Sequence, residues 1–270
     1  MTQGSYVTYE VENDAAVIRL TNEERMNALS EALIDELTAA VERADGDDVR
    51  AVVVTGSGDA FSSGYDLRES GGRAETGPPT VEAGLDRQNR ALELFTTIYE
   101  LDLPVIAAVN GYALAGGSDL ALTCDYAVAS ERARFGYPGV RMGGLTLSLV
   151  YPFRMHVNHA RELMYTGKLI NADDAERIGM VNRTVGHDEL MDSVWDEVDA
   201  IKKVPSATVQ LTKHMLNGVM DMQGYRPAVK NSGYIATLSH HTEPGKKFFE
   251  IRDEEGVGAA IEWMNSVDKP

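Results

Sequence analysis

Cysteine is nearly absent from this 270-residue chain: Cys124 is the one thiol, so no internal disulfide can staple the fold. Its neighbours in LALTCDYAV are apolar, which favours a packed core thiol over a reactive one. No apolar run approaches the ~20 residues of a membrane-spanning helix, and the opening MTQGSYVTYEV lacks the basic and apolar regions of a secretion signal. The expectation is a cytoplasmic protein with no membrane partner. Cations are scarce, with 25 Lys and Arg against 42 Asp and Glu and a net charge of −17. A broad nucleic-acid surface, which needs clustered positive charge, is thereby excluded. A solvated acidic surface accounts for the excess, and the low lysine count fits adaptation to high salt. The six histidines suggest no metal site. His156 and His159 lie on one predicted helix and His240 adjoins His241, but neither pair has an acidic or cysteine partner at ligand spacing, so surface or capping roles are expected. No GxGxxG follows a first strand, which leaves nucleotide-cofactor redox chemistry without support.

What is present is a 43% hydrophobic chain, enough for one large domain or a domain with a helical appendage. YVTYEVENDAAVIRL alternates apolar and polar residues around Glu12-Asn13-Asp14 and predicts an opening β-hairpin. Ser30 then caps a helix with apolar positions at Leu33, Leu37, Ala40 and Val41, without a capping-box Glu. RAVVVTG reads as a buried strand that feeds a glycine turn, FSSGYDL. The polar stretch at 70–80 reads as a mobile loop, and VEAGLDRQNRALELFTTIYEL as a long helix. The order then recurs: strand PVIAAVN from Pro104, a second turn from Gly111 to Gly117, a short buried helix SDLALTC and a strand DYAVAS. Each of the two turns ends in glycine, one variable residue and Asp-Leu. Such turns can aim free backbone N–H groups at one point, which suits stabilisation of charge on a carbonyl oxygen. After about residue 145 the spacing is helical, with GMVNRTV the one further strand expected.

The strings MNALS at 26–30, VVVTGSGDAFSSGYDL at 52–67, PVIAAVNGYALAGGSDLAL at 104–122, CDYAVASERARFGYPGVRMG at 124–143 and ELMYTGKLINADDAERIGMVNRTV at 162–185 together resemble the crotonase, or enoyl-CoA hydratase/isomerase, superfamily. The resemblance covers nearly the whole chain. It implies an α/β crotonase (ClpP-like) fold, a superhelix of β-β-α units with a helical C-terminal region. Residues 1–200 would form the repeat core, and 201–270 a helical cover and trimerisation region. The implied assembly is a homotrimer or a dimer of trimers.

The resemblance also implies an acyl-CoA thioester as substrate, its carbonyl oxygen held by the N–H groups of Tyr65 and Gly116, with the dipole of the SDLAL helix beside Gly117. No separate cofactor is expected, coenzyme A being part of the substrate. Family hydratases carry two glutamates; here the first position is Asp119 and the second is Gly139. Asp119 is the candidate acid/base, set against a plain helix N-terminal carboxylate favoured by the dipole. Asp66 reads as a loop anchor. GGLTLSLVYP, at 143–152, contains no acid, which counts against dehalogenase and dienoyl-CoA isomerase patterns, whose aspartate would fall near Leu147. Some dihydroxynaphthoyl-CoA synthases have glycine at the Gly139 position and borrow bicarbonate, an option that stays open here. Tyr65 and Tyr137 flank the inferred pocket as hydrogen-bond or proton donors, or as packed aromatics. For the CoA moiety the resemblance points to Arg25 and Ala28, to Ser63, Asp66, Leu67 and Arg68, and to Lys246, Lys247 and Phe248 near the C-terminus, where Trp263 replaces a frequently basic residue. The reading is an enoyl-CoA hydratase-like enzyme. Its alternatives are a thioester hydrolase, decarboxylase or C–C lyase that uses Asp119 alone or with bicarbonate, and a non-catalytic acyl-CoA binder.

Overall fold

The computed structural model describes residues 5–69 and 78–266; most of the loop expected at 70–80 lies outside them. β1 (Val7–Glu12) and β2 (Ala15–Leu20) form the predicted hairpin. Asn13 and Asp14 make its turn at φ of 48° and 59°, a left-handed pair that Asn and Asp tolerate better than other side chains. Ser30 caps α1 (Glu31–Gly46) by accepting from the Leu33 amide at 3.2 Å. Leu33, Leu37 and Val41 recur along one helical face and are fully buried.

Three strand pairs then repeat. β3 (Ala51–Gly56) leads to β4 (Ala60–Ser62), and α2 (Val81–Glu100) follows. β5 (Val105–Val109) leads to β6 (Tyr112–Leu114) and α3 (Gly116–Thr123). β7 (Tyr126–Ser130) leads to β8 (Arg134–Gly136). The first strand of each pair joins a six-stranded sheet in the order β1-β2-β3-β5-β7-β10, closed at its end by β10 (Arg183–Val185). The second strand of each joins a smaller sheet, β4-β6-β8-β9, with β9 at Leu169–Asn171. From β2 onward the large sheet is parallel, and parallel strands must be covered on both faces. β3 and β5 are accordingly buried at every position. Val52, Val54 and Ala107 point into the main core, whereas Val53, Ile106 and Ala108 point to α7 (Leu190–Lys202) through Leu190, Val194 and Val198.

The short strands depart from the sequence expectation. Gly111 to Gly117 is not one turn: Tyr112–Leu114 pairs with β4 and β8, and Gly116 already opens α3. β9 is likewise a second strand beyond residue 145, beside the expected β10. Three-residue strands are too brief to show alternation, and only the neighbouring ladder makes them strands.

Between β8 and β9 a 3₁₀ turn at Pro138–Met142 precedes α4 (Tyr151–Arg154) and α5 (Val157–Thr166), and α6 (Ala172–Arg177) follows β9. The remaining helices are α8 (Ser206–Met222), α9 (Tyr225–Ser239), α10 (Glu243–Glu255) and α11 (Val257–Asn265). Lys213 is the buried residue of α8. Its ammonium donates to Asp125 Oδ2 at 2.8 Å and to the Leu103 and Ile98 carbonyls at 3.0 and 3.3 Å, which pins α8 to α2 and to the chain entering β5 and β7. α9 packs along α2, while α10 and α11 pack on each other and over the Pro138–Met142 turn. No helix among the described residues is long and apolar enough to cross a membrane.

Candidate active site

The two glycine-bearing loops meet. MNALS runs beside FSSGYDL through backbone bonds: Ser63 N donates to Met26 O, Leu29 N to Gly64 O, and Asp66 N to Leu29 O. Leu29 and Tyr65 thus form a parallel bridge, which turns the Tyr65 amide to the opposite side. Gly64 has φ +93°, and a Cβ there would lie 3.0 Å from Gly116 N and 2.7 Å from Leu114 O. A Cβ on Gly116 would meet Tyr65 Cε2 at 2.7 Å. Only residues without side chains permit this approach of the two chains. Among the described residues, neither the Tyr65 amide nor the Gly116 amide donates to a protein acceptor. Gly116 is also the first residue of α3, so its N–H carries the positive end of the helix. Ala115, just before it, is held at φ 48° and ψ −120°, strained for alanine, and the strain falls where the chain turns into the helix.

Asp119 lies one turn into α3 with no solvent exposure. Its Oδ1 accepts from Thr146 Oγ1 at 2.8 Å, whereas Oδ2 has no hydrogen-bond partner. Burial pushes its carboxyl up to about 7, against Thr146, Ser148 and the Leu147 amide, which favour the charged form. Tyr65 Oη, Tyr151 Oη and Ser148 Oγ are also buried without a hydrogen-bond partner. Tyr137 differs, since its Oη donates to Leu145 O at 3.0 Å while its ring meets Tyr151 edge-on at 6.4 Å. Burial first, then the charge of Asp119, hold all three phenols well above their ordinary range. They remain neutral hydrogen-bond donors at physiological pH. Buried polar groups normally find partners, so an orphan carboxyl oxygen together with orphan hydroxyls marks a chamber suited to a polar ligand.

Gly139 borders this chamber. The space its missing side chain would enter holds the Tyr137 ring at 3.1 Å and the Met142 methyl at 4.0 Å. Ring carbons and a methyl give a bicarbonate ion no charge to bind, and the Tyr137 hydroxyl is already given to Leu145 O.

Arg25 is ion-paired with Asp66 Oδ2 at 2.6 Å, and Asp66 Oδ1 accepts from Arg68 N at 2.9 Å. Asp66 thus anchors the loop in the manner the sequence suggested. Ala28 is buried, Ser63 Oγ donates to Arg25 O at 3.2 Å, and Arg68 is exposed. Leu67 packs against the cluster of Phe248, Ile251, Ala260 and Met264, so α10 and α11 lie against the loop that carries Tyr65. Phe248 is 1% exposed and turned into that cluster, whereas Lys246 and Lys247 lie on the helix surface beside Glu243 and Glu250. His156 caps α5 by accepting from the Asn158 amide. Among the described residues no group of His, Cys, Asp and Glu could hold a metal. Sequence reading passed over Thr146, Ser148 and Tyr151. Their hydroxyls stood in the GGLTLSLVYP stretch, which drew notice only for its lack of an acid. Two surface cavities, of ≈ 220 and ≈ 350 Å³, lie along α2, α8 and α9 and share no residue with the chamber.

A family model described as enoyl-CoA hydratase/isomerase matches residues 10–255. The crotonyl-CoA hydratase of Syntrophomonas wolfei is 35% identical over 218 residues, covering 78% of this chain and 81% of its own. The short-chain-enoyl-CoA hydratase of Clostridium acetobutylicum is 34% identical over 218 residues, covering 78% and 80%. Among solved structures, an enoyl-CoA hydratase/isomerase from Xanthobacter autotrophicus Py2 superposes with a TM-score of 0.92 at 32% identity, over 99% of this chain and 100% of that one.

Proposed function

Because the chain belongs to the enoyl-CoA hydratase/isomerase family, we propose that it is a lyase that adds water to an enoyl-CoA thioester, with Asp119 as its one acid/base carboxyl. The observation that carries this reading is the Asp119 chamber. It holds a fully buried carboxyl, raised to about 7, with one oxygen unpartnered among neutral phenols. The thioester oxygen would take the two amide donors of Tyr65 and Gly116. Charge that grows on that oxygen is then opposed by preset dipoles, each worth about 2.7–4 kcal/mol in comparable sites.

Hydration must remove one proton from water and deliver one to carbon. A single carboxyl can do both in turn. The Asp119 carboxylate accepts a proton from water as its oxygen bonds to C3, and the electron pair of the C2–C3 double bond moves to the enolate oxygen. The protonated Asp119 then gives that proton to C2, and the carbonyl re-forms. Tyr65 and Tyr151 supply hydroxyls to orient the water that a second glutamate would otherwise hold. CoA would run past Leu67 beneath α10, with Arg68, Lys246 and Lys247 facing its phosphates. Gly139 favours a second reading: C–C cleavage or decarboxylation needs the same enolate support but no paired carboxylates.

The protein would work as a homotrimer or dimer of trimers. The support is α8, which leaves Leu211, Met215, Leu216 and Met222 from 58% to 82% exposed, an apolar stripe of the kind that marks a contact surface.

Assaying crotonyl-CoA, a β-hydroxyacyl-CoA and a malonyl-type thioester with the wild type and Asp119→Asn tests these readings. Loss of crotonyl-CoA hydration by at least about 100-fold in the variant is expected. An unchanged rate would remove Asp119 from the mechanism, and turnover of the malonyl-type thioester alone would replace hydration with decarboxylation.

A further inference from the structure

The Asp119 carboxyl is held from the segment that precedes α4. Thr146 Oγ1 donates to Asp119 Oδ1 at 2.8 Å, and both residues are buried. Ser148 Oγ and the Leu147 amide lie close enough to favour the charged carboxylate, yet among the described residues the Ser148 hydroxyl closes no hydrogen bond. The Thr146 contact is the one with full hydrogen-bond geometry. Backbone on both sides of Thr146 is fixed. The Leu145 carbonyl before it accepts from Tyr137 Oη at 3.0 Å. The Leu147 carbonyl after it meets the buried Ser232 hydroxyl of α9, which also faces Val229 O of its own helix. Leu149 holds φ at 42°, a left-handed backbone that is costly for leucine and persists where the surroundings over-determine it. Tyr137 and Ser232 thus commit their hydroxyls to the carbonyls that flank Thr146, and so direct the Thr146 hydroxyl at one oxygen of Asp119.

A carboxyl can turn about its Cβ–Cγ bond and exchange its two oxygens. A donor fixed on Oδ1 stops that exchange and leaves Oδ2, the oxygen without a partner, as the one presented to the chamber. The same donor favours the carboxylate over the neutral acid, which counters the desolvation that pushes Asp119 up to about 7. The titratable groups that face Asp119 are Tyr65 from the loop after β4, Tyr137 from the chain after β8, Tyr151 from α4 and Tyr225 from α9. All four are phenols that stay neutral near pH 7, so a donated hydrogen bond is what supports charge on Asp119 there. We infer, resting on the reading of Asp119 as the acid/base carboxyl, that Thr146 is its positioning residue. The Thr146 hydroxyl, set in place by Tyr137 and Ser232, turns Asp119 Oδ2 toward the substrate and favours the ionised form.

Two readouts on the full chain test this, and one of them is independent of turnover. Infrared difference spectra of each protein against its Asp119→Asn counterpart isolate the C=O band of the protonated Asp119 carboxyl, whose pH midpoint reports its titration. The second readout is the pH profile of kcat/KM for crotonyl-CoA hydration. Thr146→Val, which keeps the volume but lacks the hydroxyl, should raise both the midpoint and the kinetic inflection by about one pH unit or more, the size of a hydrogen bond to a charged group. Thr146→Ser, which restores the donor, should bring both back to within about 0.3 unit of the wild type. A midpoint that stays put in Thr146→Val, with the variant folded by circular dichroism, would overturn the inference and leave Asp119 as the acid/base carboxyl. A midpoint that rises while the kinetic inflection does not follow would remove Asp119 from the proton transfer, and the role of Thr146 with it. Should Thr146→Val not fold, Tyr137→Phe and Ser232→Ala each free one flanking carbonyl with Thr146 still present. Both should then raise the midpoint, and no change in either would overturn the inference.

Discussion

Burial governs Asp119 at the residue scale. Its folded value of about 7 lies above the ordinary 3.8, so between those pH values the native state holds a proton that the unfolded chain has released. Stability from this group is therefore full below the unfolded value and lost as pH rises through about 7. Asp119→Asn, which cannot ionise, should melt higher than the wild type near pH 8 and close to it near pH 4, while its activity is lost; parallel calorimetric scans would show this. A base that must be ionised also makes kcat/KM of the wild type rise with pH through an apparent pKa near 7, whereas a flat profile would mean another group takes the proton. Gly116 makes a different kind of demand. An added methyl would lie 2.7 Å from the Tyr65 ring, so Gly116→Ala should displace that ring and lower kcat by about 100-fold or more, with little change in melting temperature if the ring swings aside.

Elements matter because the proposed catalytic groups come from more than one of them. α3 carries Asp119 and one amide, the loop after β4 carries the other amide, and the segment before α4 brings Thr146 and Ser148. Their mutual placement depends on the sheets and on the helices that clamp them. The Lys213–Asp125 pair is such a clamp, with the Lys213 side chain 8% exposed. Lys213→Met would leave the Asp125 carboxylate without its cation and should cost about 3 kcal/mol in urea unfolding. A loss below about 0.5 kcal/mol would show that α8 is held by other contacts.

At the scale of the whole molecule, two surface properties act together. The exposed stripe on α8 favours association, and the net charge of −17 opposes it through repulsion that salt screens. Leu211→Asp combined with Met215→Asp should convert the proposed assembly to a monomer by light scattering. An unchanged mass would place the subunit contact elsewhere. For the wild type, raising salt from about 0.05 to 1 M should increase the melting temperature.

Much of this was legible along the chain. Val52–Val54 and Val105–Val109 announced buried strands because their apolar β-branched runs leave no polar face for water. Ser30 announced a helix start through its cap. The ordered motifs announced the family, and Tyr65, Gly116 and Asp119 stood out as candidates because their chemistry is bound to a local backbone pattern. Tertiary structure alone decided the rest. β4, β6, β8 and β9 exist only as partners in a ladder, so their own residues carry no period. The level of the Asp119 carboxyl depends on what covers it, and Thr146, Ser148, Tyr151 and Ser232 reach their places from segments distant in sequence. The sequence by itself thus determined which backbone turns and which carboxyl are candidates for the site. Folding decided whether those groups lost their water and which other groups they would face, because desolvation and long-range contact are properties of the packed molecule.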